Sequence, residues 1–352
     1  MGNRIDCEIP GASVDLNSQP DQGRRRTRLL GAVLGLLPLA TVCAGVLYQS
    51  LSTLRDRKRL PPPGRLVSVD GRIVHMLVSG SKKREGDATV VLETGLSGMS
   101  SAWGWIQPEV ARFARVVSYD RAGLGWSEPD PVPLSAAQTA RRLHALLKSQ
   151  GIEGPYLLAG HSMGGLLLRV FHDLYPDEVC GAVLIDASHP DQHLRSDAIR
   201  KHMSAGFRLL RTIPLLVSVG YVRFTNYFKS QSEGLPATHL AQANAFLCSY
   251  RHLKATNREA ARWDELCREV RATGSFGAKP ITVVSAGEVK RPGTQEVQAD
   301  LARLSSRGRQ VVVQGADHVT LVTHREPALK VVAEIRRLFE LTRSQHRPLA
   351  DG

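Results

Sequence analysis

The sequence is poor in cysteine, and its few cysteines are far apart. The five are Cys7, Cys43, Cys180, Cys248 and Cys267. An odd number without a Cys-x-x-Cys pair does not indicate a disulfide framework, and zinc-finger spacing is missing as well. Cys248 and Cys267 lie in one helix-rich region and could pair in an oxidising compartment. Free buried thiols are the alternative that we favour.

Aromatic residues are also scarce, at 5% of the chain, and no aromatic-rich basic groove or other nucleic-acid module is recognisable. The chain is nevertheless basic, because 46 Lys and Arg against 33 Asp and Glu give a formal net charge of +13. Much of that excess flanks one apolar segment, in clusters at residues 24–28 and 55–59. Basic clusters in such positions are typical of a membrane anchor. The charge therefore does not predict a nucleic-acid partner.

Charged residues are missing between Leu29 and Tyr48, and the length of this run matches the roughly 20 residues that a bilayer span requires. We predict a transmembrane helix over 29–51, after a disordered, basic-ended tail at 1–28 and before a basic, proline-rich linker at 52–64. A cleaved signal peptide and a buried core helix are the competing interpretations. Because Lys and Arg are plentiful on both flanks, the positive-inside rule leaves the membrane side of the main domain open.

Beyond the linker, short apolar segments alternate with helical patterns, as is typical of a mostly parallel sheet covered by helices on both faces. We predict this α/β core over residues 65–190 and 279–342, followed by a tail at 343–352. The alternation stops between 191 and 278, where the residues favour helices and include arginines and scattered aromatics. We interpret this stretch as a helical insertion that forms a lid, with a solvated helical appendage as the alternative.

A Gly-x-Ser-x-Gly motif lies between a short apolar segment and a helical pattern, with Ser162 between Gly160 and Gly164. In a strand, sharp turn and helix, this motif lifts the serine hydroxyl above the sheet edge. The glycines are needed because side chains would collide across so tight a turn. Ser162 is therefore the candidate nucleophile. The alternative is a serine in an ordinary glycine-rich turn.

Over residues 65–341 the sequence resembles the α/β-hydrolase superfamily. The resemblance rests on four features in the expected order, which are Thr94 to Leu96, Asp120 to Ser127, Gly160 to Gly164, and Asp317 with His318. It implies an eight-stranded sheet with an inserted lid, and a catalytic triad in the chain order Ser, acid, His. No metal or organic cofactor is implied.

The resemblance makes His318, in the loop after the last strand, the base that activates Ser162. The acid departs from the commonest pattern of the family, because the loop after the strand at 281–285 contains Glu288 but no aspartate. Asp186 ends the strand that follows the elbow helix, a position that some members use instead. We favour Asp186 and keep Glu288 as the alternative.

By the same pattern, the backbone N–H groups of Leu96 and Met163 would stabilise the oxyanion of a tetrahedral intermediate. The expected function is that of a membrane-anchored serine hydrolase that cleaves an ester, thioester or amide. Ser162 argues against epoxide hydrolases and haloalkane dehalogenases, which use an aspartate, while carbon–carbon bond hydrolases and perhydrolases keep the serine and stay open. An apolar, aromatic lid near a bilayer favours a lipid-like acyl substrate. A non-catalytic binding or scaffold protein on this fold is the alternative.

Overall fold

The structure is a computed structural model, and it describes residues 22–288 and 292–345. Residues 1–21, 289–291 and 346–352 lie outside the description. Most of the two predicted tails falls within those outer ranges, so the predictions for them concern residues that are not described.

Eight strands form a single sheet. They are β1 (Arg65–Val69), β2 (Arg72–Ser79), β3 (Thr89–Glu93), β4 (Arg115–Tyr119), β5 (Tyr156–His161), β6 (Val179–Ile185), β7 (Ile281–Ala286) and β8 (Gly308–Val313). Their order is β1-β2-β4-β3-β5-β6-β7-β8. The pairs of β2 with β1 and with β4 are antiparallel, and the pairs from β4 onward are parallel. The predicted eight-stranded, mostly parallel α/β sheet is confirmed.

Besides the strands, the described residues form fourteen α-helices. They are α1 (Gln22–Arg59), α2 (Ile106–Ala111), α3 (Ala136–Ser149), α4 (Met163–Leu174), α5 (Gln192–Arg195), α6 (Asp197–Ser218), α7 (Tyr221–Phe224), α8 (Lys229–Ser232), α9 (Ala237–Leu247), α10 (Tyr250–Ala261), α11 (Trp263–Arg271), α12 (Thr294–Ala302), α13 (Thr320–Thr323) and α14 (Arg325–Gln345). One buried apolar cluster joins α3 and α4 to the sheet, and a second joins α2 and α14 to it. Strands buried on both faces, such as β3 and β7, are therefore apolar along most of their length.

The predicted helical insertion is helical in the structure, since α5 to α11 lie between β6 and β7. We call residues 191–278 the cap. Polar contacts tie the cap to the core. The Glu259 carboxylate of α10 accepts hydrogen bonds from Arg121 at 2.6 and 3.0 Å, and the Glu269 carboxylate of α11 accepts the backbone N–H groups of Ala136 and Ala137 at 3.2 and 2.8 Å. These contacts hold α10 and α11 against the core.

The first helix is longer than the predicted span at 29–51. It runs without a break over 38 residues, so it includes the end of the predicted tail and the first eight residues of the predicted linker. Its segment Leu37–Arg59 has a mean hydropathy of 1.3 and is the one helix of the described residues that is long and apolar enough to cross a membrane. The helix continues because Ser52 to Arg59 contains no proline or glycine; the linker prolines begin at 61.

The described cysteines, Cys43, Cys180, Cys248 and Cys267, are all free. Cys248 and Cys267 lie in the cap as buried thiols, which is the alternative favoured from the sequence. Burial raises the pKa of the Cys267 thiol to about 12. The thiol therefore stays protonated at neutral pH and packs as a small apolar side chain.

Candidate active site

The candidate nucleophile lies in a sharp turn between β5 and α4. Ser162 has φ 55° and ψ −124°, a combination with positive φ that is rare for a residue with a side chain. A Cβ atom on Gly164 would lie 2.3 Å from the carbonyl oxygen of Glu93, and one on Gly160 would lie 2.8 Å from the backbone nitrogen of Gly165. Only glycine fits at either place, which explains the Gly-x-Ser-x-Gly spacing in this turn.

The histidine and one of the two candidate acids meet at this serine. The Nε2 atom of His318 lies 3.0 Å from Ser162 Oγ, and its Nδ1 atom lies 2.6 Å from Asp186 Oδ2. His318 belongs to the loop between β8 and α13, and Asp186 directly follows β6. The carboxylate is 8% exposed and the imidazole 46% exposed. The acid is thus buried behind a histidine that solvent reaches.

The surroundings of Asp186 favour its ionised form. Burial alone would raise the pKa of its carboxyl group, but the hydrogen bond and the charge of His318 outweigh burial and hold the pKa below its usual value. The backbone N–H of Ala286 donates to the other carboxylate oxygen at 3.1 Å and acts in the same direction. A carboxylate that stays ionised fixes the tautomer of His318, with the proton on Nδ1 and the lone pair of Nε2 toward the serine.

The second candidate acid, Glu288, makes no contact with His318 among the described residues. The backbone N–H of Glu288 donates to the carbonyl of Ala316 at 2.9 Å, and the Glu288 side chain is exposed. No hydrogen bond or ion pair joins it to His318 within the described residues. Of the two carboxylates considered from the sequence, only that of Asp186 contacts the imidazole.

The loop after β3 approaches the serine closely. A Cβ atom on Gly95 would lie 2.9 Å from Ser162 Cβ and 3.4 Å from its Oγ, so Leu96 follows a residue that touches the candidate nucleophile. Met163 is the first residue of α4, where backbone N–H groups have no partner inside the helix. Within the described residues, neither the N–H of Leu96 nor that of Met163 donates to a protein acceptor.

The neighbouring histidine, His161, is half-buried and supports the backbone of His318. The Nε2 atom of His161 lies 2.9 Å from the backbone carbonyl oxygen of His318, and the two rings are 4.6 Å apart. Burial, followed by the nearby charge of His318, lowers the pKa of His161 to about 3. A neutral His161 therefore donates to that carbonyl and holds the backbone of His318.

A buried ion network behind the site was missed in the sequence. The Arg121 guanidinium donates to Glu93 at 2.6 Å, to the carbonyl of Thr94 at 2.8 Å and to that of Gly95 at 2.8 Å, and it also pairs with Glu259. Burial alone would lower the pKa of Arg121, but the charges of Glu259 and Glu93 outweigh burial and raise it. The available signal was a glutamate at the end of the apolar strand β3.

Asp120 accepts the backbone N–H groups of Trp126 and Ser100 at 3.0 and 2.7 Å and so braces the loop that carries Trp126. Its Oδ2 atom also lies 2.9 Å from Nδ1 of His75, a partner that the sequence did not reveal. In the described parts of the chain, no group of three or more His, Cys, Asp or Glu side chains could hold a metal ion.

A profile of the alpha/beta hydrolase family matches residues 90–334. An AB hydrolase superfamily protein of Gibberella zeae is 24% identical over 291 residues, which cover 72% of this chain and 86% of that protein. A transporter-named protein, efuK of Hormonema carpetanum, is 26% identical over 230 residues, which cover 62% of this chain but 30% of efuK.

Among solved structures, that of a candidate epoxide hydrolase from Pseudomonas aeruginosa superimposes with a TM-score of 0.66. It is 18% identical, and the match covers 80% of this chain and 97% of that one. At this identity the likeness concerns the fold.

Proposed function

The chain belongs to the alpha/beta hydrolase family and is a hydrolase, and from that premise we propose that it cleaves an ester-type bond with Ser162, His318 and Asp186 as nucleophile, base and acid. One observation carries the proposal. The serine hydroxyl, the imidazole and a buried carboxylate form a chain of contacts at 3.0 and 2.6 Å, which is the arrangement that activates a serine.

The reaction proceeds by acyl transfer to the serine. His318 Nε2 takes the proton of the Ser162 hydroxyl while Oγ bonds to the carbonyl carbon. When the tetrahedral intermediate collapses, the bond from that carbon to the alcohol oxygen breaks, and His318 gives its proton to the leaving alcohol. Water then repeats the sequence: His318 takes one of its protons, its oxygen bonds to the acyl carbon, and Ser162 leaves with the proton as the acid is released.

The N–H groups of Leu96 and Met163 serve as the oxyanion hole in this proposal. Both lack a protein acceptor among the described residues, and both adjoin residues at the serine. A donor that is already free and fixed in direction needs no rearrangement as charge develops on the carbonyl oxygen, which is why such donors lower the barrier.

We further propose that the substrate is a lipid-like acyl compound and that α1 anchors the enzyme in a membrane. Large apolar side chains stay exposed on both α1 and the cap, among them Leu47 at 60%, Leu215 at 70% and Phe224 at 82%. Large exposed apolar areas on a protein mark sites that bind a membrane, a ligand or a partner. An enzyme that presents such a surface around its cap is suited to acyl chains that partition into a bilayer.

A fluorophosphonate probe tests the chemistry. Such a probe labels a serine that a base has activated and hardly labels an ordinary one. We expect the purified full chain to label, and Ser162→Ala and His318→Ala to abolish labelling, while the exposed control Ser306→Ala labels like wild type. A folded wild-type chain that does not label would overturn the proposal and favour a non-catalytic binding protein.

A further inference from the structure

The cap helix α10 presents one polar face to the loop that follows β3. We call residues 94–98 the oxyanion loop, because they include Leu96. The face consists of His252, Thr256 and Glu259, whose spacing of four and three residues places them on one side of a helix. His252 and Thr256 are fully buried. The side chains of His252 and Thr256 therefore face the interior and not the solvent.

His252 forms a hydrogen bond to the oxyanion loop and does so in one defined tautomer. Its Nδ1 atom accepts the backbone N–H of Gly125 at 3.0 Å, so the proton lies on Nε2, which donates to the carbonyl of Ser97 at 3.0 Å. Burial lowers the pKa of His252 to about 4, which keeps this arrangement neutral at physiological pH. The imidazole thus links the oxyanion loop to the loop that carries Gly125.

Thr256 holds the same residue from the next turn of the helix. Its hydroxyl donates to Ser97 Oγ at 2.9 Å. Ser97 has φ 64°, a backbone conformation that is unfavourable for a residue with a side chain and persists only where the surroundings enforce it. Two contacts from α10 therefore meet at the strained residue next to Leu96.

Glu259 acts on the other side of the loop through Arg121. Its two carboxylate oxygens accept from Nε and one terminal nitrogen of the guanidinium at 2.6 and 3.0 Å. The same guanidinium donates to the carbonyls of Thr94 and Gly95 at 2.8 Å each. The position of α10 thereby fixes the backbone on both sides of Leu96.

We propose that His252, Thr256 and Glu259 are positioning residues that set the direction of the Leu96 N–H toward the reacting carbonyl. The proposal rests on the proposed serine hydrolase function. In this proposal α10 stays on the oxyanion loop during turnover, because lifting it would break the contacts that shape the loop.

Two shape-preserving variants and a matched control test this assignment. Thr256→Val removes the hydroxyl that contacts Ser97 Oγ. Glu259→Gln removes the negative charge that pairs with Arg121. Glu265→Gln, in the cap helix α11, removes a charge whose ion-pair partner is Arg262 of the cap itself. The kinetics use the full chain in detergent with p-nitrophenyl esters, and kcat is calculated per active site titrated with fluorophosphonate.

We expect Thr256→Val and Glu259→Gln to lower kcat per titrated site by about 10- to 100-fold, because small misplacements of a catalytic group are costly. KM should change little, since the interaction strengthens in the transition state. A merely structural role would reduce the number of titrated sites without changing kcat per site. An unchanged kcat per site in both variants would overturn the assignment.

Hydrogen exchange supplies a readout that needs no turnover. Amides of residues 94–98 should exchange faster in Thr256→Val and Glu259→Gln than in wild type or Glu265→Gln. Equal exchange in all four proteins would contradict the positioning role. Faster exchange in the two variants, combined with a wild type that does not label, would retain the structural link and reject the hydrolase function instead.

Discussion

At the scale of single residues, the direction of a side chain at a strand end decides which acid meets the histidine. The sequence places Asp186 and Glu288 near the ends of neighbouring strands, so both stayed open. The backbone separates them: Asp186 takes φ 40°, which turns its carboxylate toward His318, while Glu288 leaves its side chain in solvent. This backbone conformation of Asp186 depends on contacts with β7, for example the hydrogen bond from Asp186 N–H to the Val284 carbonyl. The pattern of apolar and polar residues in the sequence gives no sign of such a contact.

This geometry predicts the ranking of two conservative substitutions. Asp186→Asn keeps the shape but removes the charge that fixes the tautomer of His318, so we expect kcat for ester hydrolysis to fall by about 10³- to 10⁴-fold. Glu288→Gln should leave kcat close to wild type. Steady-state kinetics on folded, purified proteins measure both. The opposite ranking would mean that Glu288 reaches the imidazole during turnover.

At the scale of secondary-structure elements, the alternating strands and helices were predictable because the buried strands are short apolar runs and the helices repeat their apolar residues every three to four positions. The strand-turn-helix at Ser162 and the helical character of the cap followed in the same way. The polar ties between cap and core could not be predicted. Arg121 and Glu259 are separated by 138 residues in sequence, and only the folded topology brings such a pair together. Sequence patterns therefore give the elements, while their buried polar partners emerge from packing.

The contribution of one such contact to stability, that between Glu269 of α11 and the start of α3, can be measured. The Glu269 carboxylate accepts two backbone N–H groups in the first turn of α3, where free N–H groups and the helix dipole favour a negative charge. We expect Glu269→Ala to destabilise the fold by about 1–2 kcal/mol. Thermal and urea denaturation, followed by circular dichroism, measure the loss.

The control for this prediction comes from the same helix. Glu265 pairs with Arg262 one turn away and is 38% exposed, so Glu265→Ala should cost less than about 0.5 kcal/mol. Equal losses in the two variants would show that Glu269 contributes no more than an exposed ion pair does.

At the scale of the whole molecule, the first helix is bound to the cap through one of its faces. Gln49 Nε2 donates to the carbonyl of Cys248 at 2.7 Å, and Asp56 pairs with Arg223 at 2.8 Å. At Gly45 the helix backbone approaches the carbonyl of Val219 so closely that a Cβ atom would lie 2.3 Å from it. The sequence predicted an apolar span ahead of a separate domain. It did not predict these contacts between α1 and the cap, because they join residues that are about 170 to 200 positions apart.

The opposite face of the same helix remains apolar and free. Leu47, Leu51 and Leu54, spaced four and three residues apart, are 60%, 58% and 55% exposed. Gly45 lies six residues, or about 9 Å of helix, before the end of the span predicted at 29–51. If that span crosses a bilayer, its 23 residues extend about 34 Å across about 30 Å of hydrocarbon, so the part of the cap bound at Gly45 lies at the depth of the acyl chains near one membrane surface.

The level of the cap can be measured with one tryptophan. Phe224, at the end of α7, is 82% exposed and follows Arg223, which is bound to α1. In full-length protein reconstituted into vesicles with brominated lipids, we expect the added emission of Phe224→Trp to be mostly quenched, because an aromatic side chain at that level sits among the acyl chains and headgroups. Val312→Trp, on the edge strand β8 and 40% exposed, should keep its emission. If the brominated lipids quench neither variant, the cap lies in water and α1 serves only as a tether.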